Sequence, residues 1–188
     1  MRTRESQYQA VLETVEKKGL ASLGLMTGQV WQDDPRRLAI LLSRYKFVAK
    51  MLTGRKSVVE VGCADAFGTR VVQQEVPNVT VLDFDPIFIN DVVSRAQAEW
   101  PLTALVHDIL DGPIPNKPYE AAYSLDVLEH ISKSDESTFM QNIVDSLVDN
   151  GVFVVGSPSL NSQIHASAQS KIGHVNCKTA EGLRDLLD

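Results

Sequence analysis

The run Val58-Val59-Glu60-Val61-Gly62-Cys63-Ala64-Asp65-Ala66-Phe67-Gly68 decides the fold of this chain. Three valines around one glutamate have the branched, apolar character of a strand buried on both faces. The glycine that ends the run permits a tight turn and lets backbone N–H groups approach a ligand closely. Thr69–Glu75 then reads as a helix, so the whole stretch is a strand, a turn and a helix.

The same rhythm continues downstream. Short apolar runs recur at Val79–Leu82, Thr103–Val106, Ala121–Ser124 and Val152–Val155, and Pro86–Glu99 and Ser134–Val148 are compatible with helices between them. Alternation of this kind means βαβ units on a parallel sheet. The expected fold is α/β and Rossmann-like, a doubly wound, mostly parallel sheet with helices on both faces.

Upstream, residues 1–56 look helical. Asp33-Asp34-Pro35 offers an N-cap and a first-turn proline. Leu38, Leu41, Leu42, Tyr45, Val48 and Leu52 then make one apolar stripe, which Gly54 closes. Residues 1–56 are expected to form a helical extension or lid, and residues 57–188 the ligand-binding domain, within a single domain overall. Trp31 and Arg37 are candidates for a lid over a pocket, while Tyr45 belongs to the packed stripe.

The 188 residues carry a net charge of -6. That balance argues against a nucleic-acid partner, whose phosphates call for a basic face. Two cysteines cannot make a disulfide framework and fit a reduced, cytoplasmic location. No apolar stretch is long enough for a signal peptide or a membrane span, so no membrane partner is expected.

In a doubly wound sheet, ligands bind at the carboxyl ends of the strands, where the winding reverses. The first such end carries Gly62. The second carries Asp83-Phe84-Asp85-Pro86, with Asp83 about twenty positions beyond Gly62, where an acid accepts the ribose hydroxyls of an adenosine. The pair implies an adenosine-containing cofactor. Nicotinamide dinucleotide binding is the rival, but its G-x-G-x-x-G pattern would need glycines where Ala64 and Phe67 stand, and no Tyr-x-x-x-Lys follows.

Residues 58–159 resemble the class I S-adenosylmethionine-dependent methyltransferases, and the order of the matches is the family's own. Glu60 and Gly62 stand at the start of the E/D-x-G-x-G-x-G motif. Val106-His107-Asp108-Ile109 is similar to the adenine-binding segment. Tyr123 to Ile131 resembles the "vLEHi" segment of small-molecule members, notably the ubiquinone-biosynthesis type. Leu147 to Val152 resembles the lead-in to the fifth strand, and Gly156 to Ser159 its exit.

The resemblance implies S-adenosylmethionine as cofactor, S-adenosylhomocysteine as product and a small-molecule O, N or C acceptor. It implies that Glu60, Gly62, Cys63 and Ala64 lie around the methionine and ribose portion. Asp83 would hold the ribose hydroxyls and Phe84 would lie against the adenine. Asp108 would accept the adenine amino group with Ile109 beside it, and Leu125 and Asp126 would flank the methionine end. Ala64 and Ala66 replace two motif glycines, which crowds or strains the turn. They keep alive an alternative, a catalytically silent cofactor-binding or interaction module. No Asp-Pro-Pro-Tyr or Asn-Pro-Pro-Tyr follows the fourth strand, which speaks against methylation of DNA bases.

The candidate catalytic residues are His130, Glu129 and His174. His130 follows the fourth strand and titrates near neutrality, so it suits a general base for an acceptor hydroxyl, or else packs against the next helix. Glu129 would contact the acceptor or a metal, or cap a helix, and no set of metal ligands is expected. His174 and His165 lie in a polar loop facing the same end of the sheet, where His174 would line the acceptor pocket. The resemblance also implies seven strands, of which the last two, an antiparallel hairpin, are not found here. The chain is therefore expected to be a fragment or shortened form. The fifth strand would lie exposed at a sheet edge and could pair two copies in a homodimer.

Overall fold

The computed structural model describes residues 2–116 and 118–188. Five strands form one sheet: β1 (Ser57–Val61), β2 (Asn78–Asp83), β3 (Thr103–Val106), β4 (Tyr119–Leu125) and β5 (Leu147–Gly156), in the order β3-β2-β1-β4-β5. Every pairing is parallel. The expected Rossmann-like sheet is therefore observed. Its winding runs outward from β1 in both directions, which puts the reversal between β1 and β4.

Alternate residues of each strand feed two cores, one on each face. Val58, Val79, Val81, Ala121 and Tyr123 pack with Ile89 and Val92 of α5 (Pro86–Ser94), with Val48 of α3 (Arg36–Met51) and with Leu52 just past its end. Val59, Val61, Leu82 and Ala122 pack on the other face with Phe139 and Ile143 of α6 (Glu136–Val144). Leu183 and Leu186 of α8 (Ala180–Leu187) join that second core.

The stripe read from Leu38 to Leu52 is the inward side of α3 and its C-cap; the N-cap is Pro35, and Asp34 before it accepts the N–H of Arg36 at 3.2 Å. Because α3 shares the core of the sheet, it is built into the domain rather than appended to it. Before it come α1 (Gln9–Lys18), which buries no side chain, and α2 (Leu25–Asp33). A short helix, α4 (Thr69–Val72), follows the first turn.

Three boundaries differ from the sequence reading. The helix from Pro86 stops at Ser94, because the chain turns at Gln97–Trp100 and Trp100 settles beneath Arg70, whose guanidinium lies 4.6 Å from the ring centre. The helix expected to reach Val148 ends at Val144. Leu147 already pairs with Tyr119, and the ladder resumes at Val152 opposite Ala121, with Asp149, Asn150 and Gly151 bulged between. The stretch after β5, read as loop, holds a 3-10 turn (Leu160–His165) and α7 (Ala168–Gly173), whose N-cap is the hydroxyl of Ser167. Among the described residues β5 pairs with β4 alone and lies at the edge of the sheet.

Candidate functional site

The first turn is built by buried polar groups. Gly62 has φ 75°, and a Cβ there would meet Val127 at 2.3 Å, so both conformation and space require glycine. Its N–H and that of Cys63 both donate to the carbonyl of Leu82, at 2.9 Å each. Ala64 and Ala66, at the other two motif positions, take φ 45° and 49°. The glycine conformation is thus kept without glycine, at a steric cost.

Beneath the turn, Glu60 is fully buried. Its carboxylate accepts the hydroxyls of Tyr45 and Tyr123 at 2.6 Å each, and that of Thr69. Burial pushes its pKa up to about 7, against the lowering effect of the three hydroxyls. Glu60 is therefore a structural junction between α3, β1, β4 and α4, set back from the pocket surface.

Asp83 ends β2 and supports the turn directly. Its Oδ2 accepts the N–H of Ala64 at 2.9 Å and its Oδ1 that of Asp85 at 3.0 Å. Burial raises its pKa, and these N–H donors act the other way. Phe84 follows it and is 70% exposed, an uncovered aromatic face at the carboxyl end of the sheet. Asp108 accepts the N–H of Leu110 at 2.9 Å, and Ile109 is buried in the core.

A cavity of about 600 Å³ opens at the carboxyl ends of β1 and β4, where the winding reverses. The turn supplies Gly62, Cys63, Ala64 and Asp65, and β4 supplies Leu125 and Asp126. Glu129, His130 and His174 complete the floor. The facing wall is α2 and α3, including Arg37, and Arg44 of α3 pairs with Asp126 across the cavity. Asp83, Phe84, Asp108 and Ile109 stand outside this lining, on the β2 and β3 side. Of the two residues suggested for a lid, Arg37 lines the cavity while Trp31 is exposed, and Tyr45 is buried in the core as the stripe implied.

The three candidate catalytic residues come together. After Asp126, at φ 57°, the chain makes a 3-10 turn over Leu128–His130. The carbonyl of Glu129 accepts the N–H groups of Val175 (2.8 Å) and Asn176 (3.0 Å), which pins the distant segment holding His174 beside it. The imidazoles of His130 and His174 meet edge to face at 5.2 Å. Glu129 is 1% exposed, its Oε2 accepts the hydroxyl of Ser157 at 3.1 Å, and burial raises its pKa. Burial and the neighbouring His130 lower the pKa of His174. His165 is exposed and takes no part.

Asp65 was not singled out from the sequence, yet it holds the wall to the turn. Gly24 precedes α2 and offers no side-chain cap. Asp65 supplies one from the core, its Oδ2 accepting the N–H of Thr27 at 2.6 Å and its Oδ1 the Thr27 hydroxyl at 3.1 Å. Asp91 of α5 accepts the N–H of Leu25 at 3.3 Å. The guanidinium of Arg95 joins Asp91 to the carbonyl of Asp65.

A glycine turn, an acid ending β2 and a pocket at the reversal define a Rossmann-like cofactor-binding domain. Residues 58–151 match the family described as methyltransferase domain, and the chain belongs to it. The family's methyl donor is S-adenosylmethionine. A probable S-adenosylmethionine-dependent methyltransferase of Mycolicibacterium smegmatis is 26% identical over 61% of this chain and 42% of its own length. An uncharacterized methyltransferase of Mycobacterium tuberculosis is 28% identical over 65% of this chain and 63% of its own. The chain thus spans about half the length of these curated relatives.

Among solved structures, the N-methyltransferase NodS of Bradyrhizobium japonicum superimposes with a TM-score of 0.65 at 20% identity, over 82% of this chain and 83% of NodS. The sugar N-methyltransferase KedS8 of a Streptoalloteichus species gives 0.59 at 14% identity, over 75% and 57%. These likenesses establish the fold. No helix among the described residues is long and apolar enough to cross a membrane.

Proposed function

We propose that the chain transfers a methyl group from S-adenosylmethionine to a small-molecule acceptor. The observation that carries this reading is the single cavity joining the first turn to Glu129, His130 and His174. Donor and acceptor can meet in it without crossing protein. When bound, the cofactor supplies an electrophilic methyl on a sulfonium, so the protein's task is alignment and removal of the acceptor's proton.

The residues fit that cofactor. Asp83 would take the ribose hydroxyls with the carboxylate lone pairs left over from its two N–H partners. The exposed ring of Phe84 offers a face for the adenine, with Asp108 and Ile109 at the end of β3 beside it. Gly62, Cys63 and Ala64 would lie along the ribose and methionine portion, with Leu125 and Asp126 at its far end. Helices α2 and α3 wall the cavity, and Glu129, His130 and His174 would engage the acceptor. The acidic charge and the size of the cavity favour a small acceptor over nucleic acid, and a sugar N-methyltransferase among the fold relatives agrees with that class.

Calorimetric titration with S-adenosylmethionine and S-adenosylhomocysteine tests the reading. Both should bind the wild-type chain, and Asp83→Asn should weaken both about 10- to 100-fold by removing a charge-assisted acceptor. Absence of binding to the folded wild type would leave the interaction-module reading in its place.

A further inference from the structure

Glu129, His130 and His174 each offer one ligand atom, and those three atoms lie within 4.8 Å of one another. Each side chain is held by an outer partner through another of its polar atoms. The Nδ1 of His130 lies 2.9 Å from the carbonyl oxygen of Gly173. A carbonyl only accepts, so Nδ1 carries the proton and Nε2 is left with a bare lone pair. That Nε2 faces Oε1 of Glu129 at 4.0 Å.

His174 repeats the pattern. Its Nδ1 donates to Oε1 of Gln163 at 2.7 Å, which frees Nε2. The hydroxyl of Ser157 orients the Glu129 carboxylate through Oε2 and leaves Oε1 for the cluster. Gly173 completes the arrangement, since a Cβ there would press on the His130 ring at 3.1 Å. Three donors, each fixed from behind by a hydrogen bond, match the outer support that metal ligands have.

We infer that Glu129, His130 and His174 bind a divalent transition-metal ion, best matched by zinc, with its open position facing the cavity. Two imidazoles and one carboxylate are the donor set of catalytic zinc sites that keep a position for substrate. Ligand atoms on one zinc stand about 2.1 Å from it and so roughly 3.4 Å apart, which asks the side chains to close by about 1 Å. Both imidazoles line the cavity, where side-chain rotation can supply that adjustment. A cation also answers the buried charge of Glu129, which lies near the acid of Asp126. The open position would take an acceptor oxygen or nitrogen, a step that rests on the methyl-transfer reading, whereas metal binding itself does not.

Titration of the chelator-stripped full chain with Zn2+ by calorimetry, and with Co2+ by its d–d absorption, tests the site. The wild type should take up a single ion of either metal per chain. His130→Ala and His174→Ala, both at solvent-reachable positions and each checked for an intact fold by circular dichroism, should each weaken binding by about 100-fold or more. His165→Ala should bind as the wild type does. No uptake by the wild type, or uptake unmoved by both histidine variants, overturns the site. The cofactor titration is read separately, so a chain that takes zinc without S-adenosylmethionine keeps the metal site and loses the methyltransferase reading.

Discussion

The phenol of Tyr45 donates to the carboxylate of Glu60 across 2.6 Å, joining α3 to the first strand inside a closed core. Burial holds Glu60 at about 7, against 4.5 when free. Between those values the folded chain keeps a proton that the unfolded chain has lost, so stability falls as pH rises through that window. The contribution is on the order of 3 kcal/mol. Urea denaturation of the wild type at intervals from pH 5 to pH 8 should show this decline, and Glu60→Gln should flatten it.

Ala64 and Ala66 share the left-handed conformation but not the same surroundings. Ala64 is half-buried on the cavity wall, whereas the methyl of Ala66 packs in the core. Ala64→Gly should therefore stabilise the chain by about 0.5–1 kcal/mol, a rise in Tm of about 1–4 °C. Ala66→Gly loses core contact as it gains backbone freedom, and the two effects should cancel. Differential scanning calorimetry of both variants separates relief of strain from a general benefit of glycine.

Asp65 caps α2 from a position 38 residues along the chain. Removing it in Asp65→Ala strips the helix of that cap and should cost about 1–2 kcal/mol. The loss should be local. Hydrogen exchange should quicken across Leu25–Asp33 while β1 and β2 keep their protection, and equal loss throughout would show that the aspartate stabilises the sheet instead.

The strands were legible because a strand buried on both faces is written as an unbroken run of branched apolar residues. The glycine turn and Asp83 were legible because their places relative to the strands repeat in this fold. Asp65 was not, since an aspartate in a turn caps its own loop as readily as a remote helix, and its partner lies on another segment. The links of Glu60 to Tyr45 and Tyr123 depend on where two phenols point once packed, and Tyr45 read only as part of an apolar stripe. His174 was visible as a polar loop residue, but its meeting with His130 and Glu129 is set by two backbone hydrogen bonds to Glu129 that no local pattern announces. Helix ends near Ser94 and Val144 were lost for a similar reason, because tertiary contacts and not propensity stopped them.

The capping of α2 by Asp65 and Asp91 has a kinetic consequence. Swinging the helix away alone would strip its leading amides of their acceptors and leave the buried Asp65 with the N–H of Phe67 in place of three donors. Opening of the wall is then a discrete event with a small equilibrium population. Any ligand admitted only through the open form would associate more slowly than diffusion allows, in proportion to that population. Once bound, it would leave at a pace governed by the same opening. The pocket would behave as a gated compartment, with residence time set at the start of α2 and not by the ligand's own contacts alone.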